Sequence, residues 1–99
     1  MTTATVDMEA RVAAAYGEIL ASRVGIRGGR TVRLAYLRRA LGDAERGAVD
    51  AALLAMVGRG AAVLGRLGDY RVGTARARAA DAAAALWVDG TRRDVLCLR

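Results

Sequence analysis

Four sets of residues have types and spacings that could do chemistry: the glycine-arginine segments at 25–29 and Gly58-Arg59-Gly60, the Ser22 hydroxyl, the carboxylates Asp43, Glu45 and Asp50, and the Cys97 thiol. Glycine-rich loops cradle phosphates when they follow a strand and open a helix in a complete dinucleotide or Walker pattern. Neither segment does so, and both read as turns and helix ends. Ser22 has no base to activate it, because the chain contains no histidine and no lysine. Asp43 reads as a helix cap, and Glu45 and Asp50 as solvated helix positions rather than an acid/base pair. Cys97 lies on an alternating terminal segment and reads as a small buried apolar residue. A single thiol also cannot staple the chain to itself. Without imidazole or lysine there is no histidine-centred triad, no usual zinc site, no Schiff base and no Walker lysine. The expectation is a protein that is not an enzyme and needs neither metal nor cofactor.

Arginine is what remains. The 99 residues hold sixteen arginines against ten carboxylates, a net charge of +6. Their placement is uneven. Residues 23–41 carry six arginines and no carboxylate, and residues 59–78 carry five against Asp69 alone, whereas 1–22 and 42–58 are each net acidic. Two acid-poor blocks point to two phosphate-binding surfaces rather than to even solvation. The candidates are Arg27, Arg30, Arg33, Arg38 and Arg39 in the first block and Arg66, Arg71, Arg76 and Arg78 in the second. Arg92 and Arg93 join them at a later turn.

The elements that must position these side chains follow from apolar spacing. Met8, Val12, Ala15, Tyr16, Ile19 and Leu20 share one face of a helix over 6–22, with Thr5 placed to cap it. Glycines interrupt the chain at 25–29, and Thr31 and Val32 form a short strand. Leu34, Leu37 and Leu41 define a second helix that Gly42 ends. Asp43 stands where a third helix, 44–57, wants its cap, and its inward set is Val49, Ala52, Leu53, Met56 and Val57. Residues 61–67 read as a strand, the region to Arg78 as a basic loop, 79–87 as an alanine-rich helix, 89–93 as a turn and 94–99 as a terminal strand. The hydrophobic content of 55% includes 23 alanines, so the core is thin and helix-rich. At this length a fold buries roughly 65% of its unfolded surface, enough for one domain, 1–99.

This order resembles a winged helix-turn-helix domain. The resemblance rests on Val32-Arg33-Leu34-Ala35-Tyr36-Leu37-Arg38-Arg39-Ala40-Leu41-Gly42, on Ala48-Val49-Asp50-Ala51-Ala52-Leu53-Leu54, and on residues 61–67 with 94–98. These segments are similar to the second helix, third helix and wing strands of small actinobacterial winged-helix regions. The fold class expected is therefore α+β and helix-dominated, with a three-helix core and a C-terminal β-hairpin wing that contains an extra short helix. The resemblance implies binding of double-stranded DNA, with the third helix in a major groove and the wing on adjacent backbone.

On that helix only Arg46 is an obvious groove reader, through guanine O6 and N7, while Glu45 or Asp50 could accept from a cytosine amine. Asparagine and glutamine, the usual adenine readers, are absent from the whole chain. Thr74 and Thr91 are weak additions. Trp87 and Tyr70 could stack on a base, but in a chain with four aromatics they read as core or dimer contacts. The alternative partners are a second copy of the chain, a protein docked on the alanine-lined third helix, or nucleic acid bound without sequence preference. The alanine, arginine and glycine bias fits a GC-rich bacterium, its phage or its plasmid. No basic-then-apolar leader and no apolar run near 18 residues occurs, so the expectation is a cytoplasmic, nucleoid-associated protein with no membrane contact.

Overall fold

The computed structural model describes residues 3–22, 30–66 and 75–99. Helix α1 (Thr3–Ser22) turns Met8, Val12, Ala15, Tyr16 and Ile19 inward. It starts earlier than the apolar spacing predicts, so Thr5 lies within the helix rather than capping it. Strand β1 (Val32–Arg33) leads directly into α2 (Leu34–Leu41), whose buried residues are Leu34, Leu37 and Leu41. Helix α3 (Arg46–Gly58) buries Val49, Ala52, Leu53 and Met56 and leaves Val57 half-buried. Its N-cap is Glu45 rather than Asp43, and no side chain caps it. The helix ends in a Schellman turn, in which Ala61 N–H bonds Met56 carbonyl at 2.9 Å and Gly60 N–H bonds Val57 carbonyl at 3.1 Å. Gly60 takes φ +78° there, a conformation that a residue with a Cβ would hold under strain.

Strand β2 (Ala62–Gly65) follows, then helix α4 (Ala75–Ala84), strands β3 (Leu86–Val88) and β4 (Thr91–Arg93), and β5 (Val95–Leu98). The basic stretch expected as a loop to Arg78 is helical from Ala75, and the helix expected over 79–87 stops at Ala84. The expected turn at 89–93 is instead half of a hairpin. Asp89 and Gly90 both have positive φ, 50° and 75°, and join β3 to β4 as a two-residue turn. That is the type I′ geometry whose twist matches paired strands, and Asp-Gly is one of its preferred sequences.

The main sheet has the order β1-β5-β2, antiparallel throughout. Leu96 sits in its middle, paired with Val32 on one side and Leu64 on the other, and all three are buried. On the opposite face Val95 is buried too, beside its register partner Gly65. Cys97, expected inside, is half-buried. The architecture is a helix-dominated α+β domain: α1 packs on α3 and α2, the small sheet closes the core, and α4 lies against α2.

Candidate nucleic-acid interface

Helix α4 reads ARARAADAAA, with no basic residue in its last turn and little apolar volume of its own. Its final carbonyls have no partner within the helix and lie at the negative end of its dipole. Arginines from two other helices meet them. Arg38 on α2 donates from Nε to Ala84 carbonyl at 2.8 Å, and Arg46 on α3 donates from Nη1 to Ala83 carbonyl at 2.6 Å and from Nη2 to Ala85 carbonyl at 2.9 Å. Asp50 ties the two together, accepting Arg38 Nη2 at 2.6 Å and lying 3.9 Å from Arg46 Nε. Three residues that the sequence offers to DNA thus form one clasp holding α4 to the core.

The middle of α4 is held by charge as well. Asp81 is buried, with Arg33 Nη1 3.7 Å from Oδ2. Burial holds its carboxyl above the usual aspartate range; nearby Asp94 pushes the same way, while Arg33 and Arg92 oppose the shift. Asp94 is itself buried, and Arg92 Nε lies 3.4 Å from its Oδ2. Arg59, just past the end of α3, pairs with the buried Glu9 of α1. Arg33, Arg38, Arg46, Arg59 and Arg92 are therefore each paired with a carboxylate within the fold, Arg38 and Arg46 sharing Asp50.

The remaining candidates face outward. Arg30, Arg39, Arg66, Arg76 and Arg78 are exposed and have no carboxylate partner among the described residues. Arg93 is half-buried, with Nη1 3.4 Å from Leu64 carbonyl. The Arg30 carbonyl accepts a hydrogen bond from the Tyr16 hydroxyl, which pins the backbone at the entry to β1. Glu45 is exposed at the start of α3. Arg27, Arg71, Tyr70 and Thr74 lie outside the described residues.

Two sites gather these side chains. In the first, Arg33, Arg39 and Arg76 line a cleft between α2 and α4, with the Arg39 guanidinium 5.5 Å from the centre of the Tyr36 ring. In the second, Arg66, Trp87, Thr91 and Arg92 border an open groove of about 430 Å³ beside the β3–β4 hairpin. Trp87 is 66% exposed and pairs in register with Arg92. It does not belong to the core, which corrects that half of the expectation of a core or dimer contact. The signal was present in the alternation of Leu86-Trp87-Val88 before Asp89-Gly90, which sends Trp87 to the side opposite Leu86. An exposed indole among guanidinium groups can stack on a base while the arginines hold phosphates.

The outer face of α3 has little to read with. Gly47, Ala51, Leu54 and Gly58 are exposed along one stripe and offer no side-chain donor or acceptor, and Arg46 is committed to α4. Among the described residues no helix is long and apolar enough to cross a membrane, and no cluster of histidine, cysteine or carboxylate residues could hold a metal ion. Comparison with known proteins finds no family model, no curated protein and no solved structure that matches the chain.

Proposed function

We propose that this chain is a winged-helix DNA-binding protein that holds duplex DNA through phosphates and shape more than through base edges. The frame is supported by the element order: a core of α1, α2 and α3, β1 ahead of α2, and β2 and β5 after α3, with β5 paired between β1 and β2. On that frame α3 faces the major groove. The segment between β2 and β5 is the wing, enlarged by α4 and the hairpin, and it supplies Arg66, Arg76 and Arg78 together with the exposed Trp87. The observation that carries the function is the division among the arginines. Those without a carboxylate partner stand outside, where phosphates reach them, while Arg46, the one groove reader on α3, is spent on α4. A regulatory or accessory DNA binder of the nucleoid fits this balance better than a reader of one operator.

Mobility shifts with GC-rich, AT-rich and random duplexes over a salt series test the reading. All three duplexes are expected to be retarded at low salt, with affinities within about tenfold of one another. The slope of log affinity against log salt is expected at about −4 to −5, the value for roughly five phosphates. Failure to retard any duplex at low salt overturns it.

A second reading has its own observation: the uncharged α3 stripe, on which Leu54 is 45% exposed, suits a protein partner or a second copy of the chain. Leu54→Arg separates the two. It leaves or strengthens DNA binding on the first reading and abolishes association on the second, read as loss of a stoichiometric protein co-purifying after nuclease treatment.

A further inference from the structure

We propose that the cleft between α2 and α4 binds the phosphomonoester group of a small molecule, a ligand distinct from the DNA backbone. The cleft measures about 220 Å³, below the roughly 300–1,000 Å³ of sites for drug-sized ligands, so it suits a small one. Its floor and rim differ. Arg33 and Asp81, with side chains only 19% and 8% exposed, form the floor and largely balance each other's charge. Arg39 and Arg76 are exposed at the rim, have no carboxylate partner among the described residues, and supply the net positive charge.

Several features favour a phosphate dianion. The two rim guanidinium groups come from different helices, so an anion between them is gripped from both sides, and each fork matches the geometry of phosphate oxygens. Arg76 and Ala77 of α4 border the same space, and no acidic side chain precedes Asp81 on that helix. Tyr36 lines the wall, held in place beneath Arg39, and gives an organic substituent an apolar surface to rest on. A duplex backbone is a convex rod whose phosphodiesters carry one charge each. A terminal phosphomonoester carries nearly two at neutral pH and can enter a recess between two helices.

The test uses phenyl phosphate as the monoester probe and dimethyl phosphate as the backbone-like diester, at matched ionic strength and slightly alkaline pH, followed through backbone amide resonances of the whole chain. Phenyl phosphate is expected to shift the Tyr36 and Ala77 amides saturably, and dimethyl phosphate to bind at least roughly tenfold more weakly. Arg39→Ala and Arg76→Ala, both at exposed positions, should each weaken phenyl phosphate by roughly tenfold while the rest of the spectrum stays folded. Arg78→Ala, on the same helix but outside the cleft, should leave the affinity unchanged. Shifts that fail to saturate, equal binding of the diester, or unchanged affinity in both rim variants would overturn the proposal. Because no nucleic acid enters the measurement, its outcome is independent of whether the chain binds DNA.

Discussion

The corner where α2 and α3 meet α4 and the groove beside the β3–β4 hairpin are both built on arginine, in a chain with no lysine or histidine, yet the two sites use it oppositely. At the corner Arg38 is 15% exposed and makes a bond to Ala84 carbonyl at 2.8 Å and another to Asp50 at 2.6 Å. Beside the hairpin Arg66 is exposed next to an indole that is itself 66% exposed. The difference lies in the neighbours. An alanine-rich helix has little side-chain area to bury and ends without a cation of its own, so it recruits guanidinium groups from elsewhere; the hairpin turns only Leu86 fully inward and leaves its other face uncovered. A block of positive charge in a sequence is therefore a mixture of internal clasps and outward-facing groups, and partners in space decide which arginine is which.

The largest effect expected is on the clasp. Arg38→Ala strips two charge-assisted bonds from a site where Asp50 stays largely buried, and should lower unfolding free energy by about 3 kcal/mol in a denaturant titration. Arg38→Lys should recover little of this loss, since one ammonium cannot serve both the Ala84 carbonyl and Asp50 as a planar fork does. Arg46→Ala should cost less, because half of that side chain is in solvent. A stability change under about 0.5 kcal/mol in Arg38→Ala would erase the contrast between the two sites.

The hairpin should behave in reverse. Trp87→Ala removes an exposed ring, so stability should stay within about 0.5 kcal/mol of the parent while nucleic-acid affinity falls by about 1–2 kcal/mol. Trp87 is the one tryptophan in the chain, so its fluorescence reports contact directly and should be quenched as DNA is added. An unquenched signal at saturating DNA would remove the hairpin from the interface.

A smaller change separates phosphate contacts from packing. Arg66→Ala and Arg78→Ala should each reduce the salt slope of DNA binding by about 1 with no change in denaturation midpoint. Arg38 is unsuitable for this purpose, because its loss disturbs the fold before it disturbs the charge.

How far these roles are legible in sequence depends on how local their causes are. The span of α2 follows directly from Leu34, Leu37 and Leu41 with Gly42 behind them, and the inward set of α3 from its three- and four-residue steps. The start of α4 does not, because Arg76 and Arg78 alternate with alanine and leave no apolar period. Alanine's helix propensity and distant partners decide that segment instead. The end of α4 is hidden for the same reason: alanine propensity alone carries a helix on to Trp87, whereas the Asp89-Gly90 turn and the alternation before it mark a hairpin. The clasp itself joins residues 46 positions apart, Arg38 and Ala84, and nothing in the local pattern of either announces the other.

The finest distinction concerns the floor of the α2–α4 cleft, where burial and ion pairing act in opposite directions on Asp81. Burial is the larger influence, so the folded state favours the protonated carboxyl and its pKa stands above the ordinary 3.8. A carboxyl raised in this way contributes stability that is fully present below the unfolded value and is lost as pH rises through the folded one. Asp81→Asn keeps the shape without the titration. The stability of the parent relative to Asp81→Asn should therefore decline as pH is raised from about 3.8 upward, and level off once the folded carboxyl is ionised. Paired denaturation curves at successive pH values give this difference with the other carboxylates cancelled. If Arg33 at 3.7 Å outweighed burial, the parent would gain on the variant over the acidic range instead, and the cleft floor would be an ion pair first and a buried acid second.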